Sequence, residues 1–389
     1  MPGLYLHIPF CKAKCRYCDF VSFADCEQMG DYVDALLEEL KLWTAVLPKR
    51  KYDTVFLGGG TPSLLPEGAV ASLLDALARG FDLAPDAEIT IESNPGTLAF
   101  AKLLEYRAAG VSRLSMGLQS AQDTLLKSLG RIHTCEEFLQ GLCLAREAGF
   151  DNVNADIMYG LPGQTVEDHL DTIRYVAELG LAHISAYSLV LEETTPLYTD
   201  VMGGAQSLPD EDTAYAMHRE GMALLESLGY RRYEISNYAK PGYESRHNLN
   251  YWNNGEYLGF GLNSHSAMRV GGRWLRWANT AVLGDYIAAV RAGERPLAGE
   301  AQTISKEEEM FECVMLGLRK TEGMADRDFR ARFGESLFTV YGKAIGELAQ
   351  AGWLLSDGKG VRLTDEGLDM QNQALLAFLG EDPGLKLSE

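Results

Sequence analysis

The chain has 389 residues, of which 46% are hydrophobic and 23% charged, so it is long enough for one large and one small folded domain and its composition argues against disorder. Its 35 basic and 55 acidic residues give a formal net charge of −20, which repels phosphate backbones, so nucleic acid is not an expected partner. Residues 1–10 lack the basic and apolar regions of a signal peptide, and no uncharged run approaches the ~18 residues of a membrane span. We therefore expect a cytoplasmic protein without a transmembrane segment.

The first half of the chain alternates between short apolar, β-branched runs and amphipathic helical patterns. Strands are predicted at 4–9, 54–57, 88–92, 113–118, 152–158 and 183–189. Helices are predicted around 33–40 and at 69–78, 100–109, 136–148 and 166–179. Successive βα units predict a parallel sheet with right-handed crossovers, and periodicity alone does not decide between an open sheet and a barrel.

The second half has a looser pattern. A helix is predicted at 211–228, and a polar and aromatic stretch follows at 230–277. We assign residues 1–290 to a first domain and 291–305, which contains two glycines and a proline, to a linker. Residues 306–389 form the predicted second domain, with helices at 307–318, 326–333 and 338–351 and then two strands around an Asp357-Gly358 turn. That order is typical of a winged helix, and the acidity of the chain favours packing or partner docking over DNA binding.

Three cysteines follow the first predicted strand, in the run His7-Ile-Pro-Phe-Cys11-Lys-Ala-Lys-Cys15-Arg-Tyr-Cys18-Asp-Phe20. Thiolates this close together on one loop can bind a soft metal centre. A structural zinc would need a fourth protein ligand, for which His7 or Cys26 is available, so zinc is the alternative on spacing alone. The remaining cysteines are scattered and predict no disulfide framework.

The spacing C-x3-C-x2-C, placed after a first strand at the head of repeated βα units, resembles the radical S-adenosylmethionine (SAM) superfamily. The resemblance implies that Cys11, Cys15 and Cys18 bind three irons of a [4Fe–4S] cluster. The fourth iron would then be open to the amino and carboxylate groups of SAM, which explains why the motif has no fourth ligand.

Further polar and glycine motifs lie at the ends of the later strands. Gly58-Gly59-Gly60-Thr61-Pro62 follows the second strand, where backbone without Cβ lets a ligand approach and leaves N–H groups to bind it, although alone it could be only a tight turn. Glu92 and Gln119 end the third and fourth strands, Arg131 follows, and Asp156 lies in the fifth. The carboxyl ends of parallel strands meet at one rim, where sites form, but each charge taken singly could be merely solvated or paired.

As an ordered set, these motifs resemble the oxygen-independent coproporphyrinogen III oxidase family, including its HemW-type heme chaperone branch. The resemblance runs from Tyr5-Leu-His-Ile-Pro-Phe-Cys11 through Asp156-Ile-Met-Tyr-Gly-Leu-Pro-Gly163 to the terminal domain. We therefore expect an α/β fold, an incomplete (β/α)6 TIM-like radical SAM barrel with a C-terminal winged-helix-like domain. The resemblance also implies SAM contacts from Tyr5, Tyr17, Gly59, Gly60, Thr61, Glu92, Gln119, Arg131 and Asp156.

Two features separate the branches of this family. The decarboxylating oxidases carry another cysteine two places after the third ligand, and this chain has Phe20 there. The run His247-Asn-Leu-Asn-Tyr251-Trp252 resembles the H-N-x-x-Y-W motif of the heme chaperone branch. A neutral imidazole is a common axial ligand of heme iron, so we predict that His247 binds heme. The alternative is a packed aromatic loop whose histidine only makes a hydrogen bond.

The leading hypothesis is a heme chaperone that binds a [4Fe–4S] cluster, SAM and heme. It would transfer heme to an acceptor hemoprotein, which the resemblance implies is a respiratory-chain protein at the membrane. The alternative is an oxygen-independent coproporphyrinogen III oxidase, which decarboxylates its substrate through a 5′-deoxyadenosyl radical. A radical enzyme with another substrate is a third possibility, and any cleavage of SAM would require an electron donor.

Overall fold

The structure, a computed structural model, describes residues 2–47 and 49–379. Its strands are β1 (Gly3–Ile8), β2 (Lys51–Gly59), β3 (Asp82–Ser93), β4 (Arg113–Gln119), β5 (Val153–Tyr159), β6 (His183–Ser188), β7 (Arg231–Arg232), β8 (Asn237–Ala239), β9 (Tyr257–Phe260), β10 (His265–Val270), β11 (Arg273–Ala278), β12 (Gln302–Ile304), β13 (Met324–Ala325), β14 (Leu354–Ser356) and β15 (Gly360–Leu363). Its α-helices are α1 (Met29–Thr44), α2 (Ala69–Gly80), α3 (Phe100–Ala108), α4 (Asp123–Ser128), α5 (Cys135–Glu147), α6 (Val166–Glu178), α7 (Pro196–Met202), α8 (Glu211–Ser227), α9 (Arg246–Trp252), α10 (Leu283–Arg291), α11 (Lys306–Gly317), α12 (Asp326–Phe333), α13 (Leu337–Gln350), α14 (Asp365–Asp369) and α15 (Gln371–Leu376).

Strands β1 to β6 lie side by side in chain order, and every neighbouring pair is parallel. The outer edge of β1 pairs with β9 and that of β6 with β8, so the two ends of this wall do not meet and the barrel is incomplete. The full sheet has the order β12-β11-β10-β9-β1-β2-β3-β4-β5-β6-β8-β7. This arrangement confirms the predicted incomplete (β/α)6 barrel.

Successive side chains of each parallel strand point to opposite faces of the sheet, which gives the barrel wall an apolar outer face and a polar inner face. In β4, Leu114, Met116 and Leu118 belong to the main hydrophobic core, between the sheet and its helices. The residues between them include Ser115 and Gly117, which border a cavity inside the barrel. The fold therefore places polar side chains in the lumen and collects them towards the carboxyl ends of the strands.

The six predicted strands and the helices predicted between them are confirmed, with small changes at their ends. The largest change is in β3, which pairs with β2 in two segments separated by a register shift. Pro85 and Asp86, both poor strand formers, lie between these segments and conceal the first one from a pattern-based prediction.

The polar and aromatic stretch at 230–277, for which the sequence predicts no elements, contains β7 to β10, helix α9 and all of β11 except its last residue. Helix α9 lies against β2 at the amino end of the barrel, where the His247 imidazole reaches Thr54. Strand β12 lies inside the range predicted as a linker and pairs with β11. The predicted domain boundaries themselves stay a prediction.

The C-terminal elements follow the order α11, β13, α12, α13, β14, β15, and their three strands form an antiparallel sheet in the order β13-β15-β14. This is the predicted winged-helix arrangement, and it has its own hydrophobic core around Phe329, Leu337 and Val361. Residues 380–389 of the predicted second domain lie outside the described residues. Within the described part of the chain, no helix has the length and apolar character needed to cross a membrane.

Candidate cofactor site

The three cysteines of the predicted cluster motif lie on the loop between β1 and α1. The base of this loop is closed by a bridge between Phe10 and Phe23, where the Cys11 N–H donates to the Phe23 carbonyl at 2.9 Å. Farther along, the Arg16 N–H donates to the Leu129 carbonyl at 2.9 Å, which fixes the loop across the mouth of the barrel. The three cysteines are free thiols that line one cavity at the carboxyl end of the sheet.

Two of these thiols already accept hydrogen bonds from loops that follow other strands. The Thr61 hydroxyl donates to Cys11 Sγ at 3.5 Å, and Arg131 Nη1 donates to Cys15 Sγ at 3.4 Å. Donors aimed at sulfur stabilise thiolate charge and tune the potential of a bound cluster. Burial raises the pKa of the Cys18 thiol, so metal binding there must release its proton.

The thiols are not grouped as the ligands of a mononuclear site. Among residues 2–47 and 49–379, no three His, Cys, Asp or Glu side chains surround the position of a single metal ion. A [4Fe–4S] cluster gives each cysteine its own iron and does not need that grouping. The geometry therefore gives no support to the zinc alternative.

The glycine turn after β2 passes directly against the start of the cysteine loop. Gly59 has a φ of 108°, and a Cβ on Gly60 would lie 2.7 Å from the Phe10 carbonyl oxygen. The N–H groups of Gly60 and Thr61 donate to the carbonyls of Ile8 and Phe10, both at 2.8 Å. The expectation of free N–H groups is therefore wrong here, because the glycines allow two backbones to approach each other closely beside the cavity.

Two acidic side chains, Glu92 and Asp156, line the same cavity and form no ion pair with the described residues. Burial raises the pKa of Glu92 to about 8, and the charge of Asp156 adds to the effect. Burial also raises the pKa of Asp156, which accepts hydrogen bonds from Asn154 Nδ2 at 2.8 Å and Ser115 Oγ at 3.1 Å. Buried carboxylates without a cation favour a ligand that brings positive charge.

Gln119 and Arg131 complete the lining of the cavity. Gln119 has a φ of 67° at a register shift between β4 and β5, and its Oε1 is buried without a partner among the described residues. Arg131 donates through Nη2 to the Gly117 carbonyl at 2.9 Å and to Asn94 Oδ1. The orphaned Gln119 oxygen is an acceptor that a ligand in the cavity could satisfy.

The predicted SAM contacts do not all reach the cavity. Tyr17 lines it, and burial raises the pKa of its phenol. Tyr5 lies deeper on the inner face of β1, where its hydroxyl makes a 3.0 Å hydrogen bond with His7 Nδ1 and its ring stacks on Phe56. Burial and the charge of Glu92 both raise the pKa of Tyr5. Tyr5 is therefore behind the cavity wall, while the other predicted cofactor residues border the cavity.

The structure places His247 away from these residues, inside the amino end of the barrel. Its imidazole is only 1% exposed and packs on Phe56 with a ring distance of 5.2 Å. Nδ1 is 2.8 Å from Thr54 Oγ1, and Nε2 is 3.2 Å from the Tyr251 hydroxyl. Burial lowers the pKa of His247 to about 3, so the ring is neutral. In this conformation neither ring nitrogen is free to bind iron.

Some residues of the cavity were not identified as site residues from the sequence. Asn94 links the two halves of the wall, since its Nδ2 donates to Thr61 Oγ1 at 2.9 Å while its Oδ1 accepts from Arg131. The position of Asn94, two residues after Glu92 and just beyond the end of β3, could have identified it as a site residue from the sequence. Arg113 does not line the cavity but is buried on the inner face of β4, with an unpartnered Nε among the described residues, and its charge acts on Glu92 and Asp156. The sequence did not indicate it, because strand-internal charges are individually ambiguous.

The donor set fits a cluster and SAM together. Three thiols on one loop suit the irons of a cluster, and two carboxyl groups that form no ion pair with the described residues, together with an orphaned amide oxygen, suit a ligand that carries positive charge and N–H donors. A parallel incomplete barrel with this cysteine loop after its first strand defines the radical SAM class of proteins.

Comparisons with known proteins agree with that class. Residues 5–176 match the model of the Radical SAM superfamily, and residues 304–370 match that of the HemN C-terminal domain. The protein "Heme chaperone HemW" of Bacillus subtilis is 36% identical over 98% of this chain and 100% of its own length. HemW of Escherichia coli is 37% identical over 97% of this chain and 98% of its own. The solved structure of coproporphyrinogen III oxidase (HemN) from Escherichia coli covers 97% of this chain and 90% of its own with 25% identity and a TM-score of 0.84.

The chain belongs to the HemW family of radical SAM proteins. The [4Fe–4S] cluster and SAM are accordingly its cofactors.

Proposed function

We propose that this protein is a heme chaperone, which binds heme and passes it to an acceptor protein without changing it chemically. The observation that carries the proposal is the similarity, at 36% and 37% identity over nearly the full length, to two proteins named as heme chaperones. The features that the fold shares with radical SAM enzymes do not decide between chaperone and enzyme, because one fold supports many functions.

In this proposal, Cys11, Cys15 and Cys18 hold the cluster, and Thr61 and Arg131 donate hydrogen bonds to its thiolates. A reduced cluster held there would supply an electron to bound SAM. Glu92, Gln119 and Asp156 orient SAM from the opposite wall of the cavity. Tyr17, Gly59 and Gly60 border it, while Tyr5 acts through its contact with His7 and the nearby Glu92.

The rival function is that of the coproporphyrinogen III oxidase, whose solved structure this chain resembles closely. Phe20 argues against it. This side chain is 66% exposed and lines the mouth of the cofactor cavity, where the oxidases place a cysteine. A phenyl ring can neither donate a proton nor bind a metal, so any chemistry that depends on a thiol at this point is lost.

His247 remains our candidate ligand of heme iron. Because the ring is buried and Thr54 and Tyr251 occupy its nitrogens, ligation requires α9 to move away from the barrel. The acceptor in this proposal is a hemoprotein of the respiratory chain at the membrane, reached by a cytoplasmic chaperone through protein contacts. An electron donor is needed only if SAM is cleaved.

The test is an anaerobic titration of cluster-loaded protein with heme, followed by the Soret band. We expect saturation at one heme per chain. The variant in which Cys11, Cys15 and Cys18 are all replaced by Ala should lose its iron–sulfur absorbance, which iron analysis checks independently. A wild-type protein that shows no saturable heme binding would refute the chaperone proposal, and a triple variant that still holds about four irons would refute the ligand assignment.

A further inference from the structure

Two of the three cysteine thiols are joined by a continuous chain of hydrogen bonds that passes through Asn94. Its Nδ2 donates to Thr61 Oγ1 at 2.9 Å, and the Thr61 hydroxyl donates to Cys11 Sγ at 3.5 Å. On the other side, Arg131 donates through Nη2 to Asn94 Oδ1 and through Nη1 to Cys15 Sγ at 3.4 Å. We call these five residues the Asn94 bridge. All of them line the cofactor cavity, and they come from the connections that follow β1, β2, β3 and β4.

The backbone of Asn94 is held in place independently of its side chain. Pro95 follows it, and Asn94 accordingly has an extended conformation, with a φ of −100° and a ψ of 137°. Its N–H donates to Ser63 Oγ at 3.3 Å, and its carbonyl accepts from the N–H of Thr97 at 3.0 Å and from the hydroxyl of the same residue at 2.7 Å. The side-chain amide therefore extends into the cavity from an anchored backbone.

The donor and acceptor types of these groups give the Asn94 bridge one direction. A guanidinium can only donate, so the Asn94 atom that faces Arg131 is the oxygen, and the amide nitrogen faces Thr61. Because the Thr61 hydroxyl accepts from that nitrogen, its single hydrogen is left for Cys11 Sγ. An uncharged amide at this position therefore orients one donor on each side towards a sulfur.

An aspartate in place of Asn94 would reverse one half of the Asn94 bridge. Both oxygens of an ionised carboxylate can only accept, so the Thr61 hydroxyl would turn its hydrogen to the carboxylate and leave Cys11 Sγ without this donor. Arg131 would keep its contact and gain a charged partner. Asparagine and aspartate have the same shape, so this substitution changes the direction of one hydrogen bond and adds one charge without changing the packing.

Hydrogen bonds to the sulfur ligands are among the properties that set the reduction potential of an iron–sulfur cluster. The sulfurs carry more negative charge in the reduced state, so a donor aimed at them favours reduction. We propose that Asn94 is a positioning residue that raises the reduction potential of the bound cluster. It directs the Thr61 hydroxyl to Cys11 Sγ, and it anchors the guanidinium that donates to the second thiol. The inference concerns the cofactor alone and holds whether the protein transfers heme or catalyses a reaction.

The test is a redox titration of cluster-loaded, full-length protein without SAM, followed by the EPR signal of the reduced cluster. We expect Asn94→Asp to lower the equilibrium constant for reduction by about tenfold or more, because a hydrogen bond to a charged acceptor is lost. For this one-electron couple, tenfold corresponds to a potential about 59 mV more negative. Thr61→Val replaces the hydroxyl by a methyl group and should shift the potential in the same direction by about the same amount.

Three further variants separate the direction of the hydroxyl from the added charge. In the Thr61→Val background there is no hydroxyl to turn, so Asn94→Asp should change the equilibrium constant there by only about threefold or less. Asn94→Ala adds no charge but removes the group that donates to the Thr61 hydroxyl, and we expect a loss of about threefold. Asn372→Asp is the matched control, because it makes the same chemical change on an exposed side chain of α15, and it should titrate as the wild type does.

Iron analysis of each variant accompanies the titration. An Asn94→Asp protein that holds about four irons per chain and titrates at the wild-type potential overturns the proposal. Equal shifts from Asn94→Asp in the wild-type and Thr61→Val backgrounds also overturn it, because they show that the added charge acts alone. If Asn94→Asp does not retain the cluster, Asn94→Ala decides the question, and a wild-type potential for that variant contradicts the proposal.

Discussion

Glu92 and Asp156 show how a site can be prepared for a cation at the level of single residues. Both carboxyl groups are buried, neither forms an ion pair with the described residues, and the pKa of Glu92 is raised to about 8 chiefly by burial. The charge of Arg113, on the inner face of β4, lowers the pKa of both carboxyl groups, but it does not cancel the larger effect of burial. Without a ligand, the folded protein therefore holds protons that the unfolded chain would release.

This arrangement predicts the direction of a pH effect on stability. The unfolded chain ionises Glu92 above its ordinary pKa of roughly 4.3, whereas the folded, ligand-free protein keeps it protonated up to about pH 8. The folded state binds more protons in this window, so the free energy of unfolding should fall as the pH rises, by up to about 1.4 kcal/mol per unit, and level off above pH 8.

Denaturant unfolding of ligand-free protein between pH 5.5 and 8.5 measures this slope. Glu92→Gln is neutral throughout and should flatten it, while the exposed Glu38→Gln should leave it as in the wild type. Equal slopes in wild type and Glu92→Gln would show that Glu92 is already ionised in the folded protein.

For single residues, the sequence predicted which side chains meet at the cofactor cavity but not every contact that they make there. All the predicted cofactor residues except Tyr5 border one cavity, because the carboxyl ends of parallel strands converge. The roles of the glycine N–H groups and of Asn94 depended on how closely two loops approach, which no local pattern encodes.

Helix α9 is the element that departs most from its sequence interpretation. The motif predicted a heme ligand, with a packed aromatic loop as the alternative, and the structure uses His247 to fill the amino end of the barrel between Thr54, Phe56 and Tyr251. The N–H groups of Arg246 and His247 donate to the carboxylate of Glu88, which fixes the start of the helix. Both a structural and a ligand role are therefore open to the same side chain.

His247→Ala should lower the free energy of unfolding by about 2–4 kcal/mol, because it leaves a cavity and an unpaired Thr54 hydroxyl. If the imidazole ligates iron, as we propose, the variant also binds heme more weakly with a shifted Soret band while its cluster stays intact. Tyr251→Phe is the control, since it frees Nε2 without removing the ring and should keep the wild-type band. A His247→Ala protein with unaltered heme affinity and spectrum would leave only the structural role.

The elements that were predicted well are those whose pattern is local. Strands β1 to β6 are apolar runs between amphipathic helices, so the hydrophobic periodicity of the sequence predicts them. Strands β7 to β11 are short, polar or aromatic, and acquire their structure by pairing at the two edges of the barrel wall. Their stability comes from partners distant in sequence, and for that reason no local signal marked them.

On the scale of the whole molecule, the winged-helix domain packs against the barrel rather than standing apart from it. Arg276 forms two 2.9 Å hydrogen bonds with Glu312, Lys320 Nζ lies 2.6 Å from Asn253 Oδ1, and His218 pairs with Asp369 at 3.1 Å. These contacts connect α8, the end of α9 and β11 to the C-terminal elements. The domain thus packs on the barrel, which is one of the two roles, packing or partner docking, that the acidity of the chain favoured over DNA binding.

The same scale shows why the fold cannot by itself assign the function. This chain and the coproporphyrinogen III oxidase of Escherichia coli share their architecture over nearly their full lengths. We propose that the two functions are separated at Phe20, at the mouth of the cofactor cavity, and in α9. The central claim is therefore that a complete radical SAM scaffold here carries heme without decarboxylating a porphyrinogen.

One measurement tests that claim most directly. Reduced, cluster-loaded protein is incubated anaerobically with SAM and coproporphyrinogen III beside the Escherichia coli oxidase as positive control, and the oxidised porphyrins are then separated and quantified. We predict that only coproporphyrin is recovered from this protein while the same preparation binds heme stoichiometrically. Sustained formation of protoporphyrin, on the order of 1 per second, would contradict the chaperone account and make the protein an oxidase.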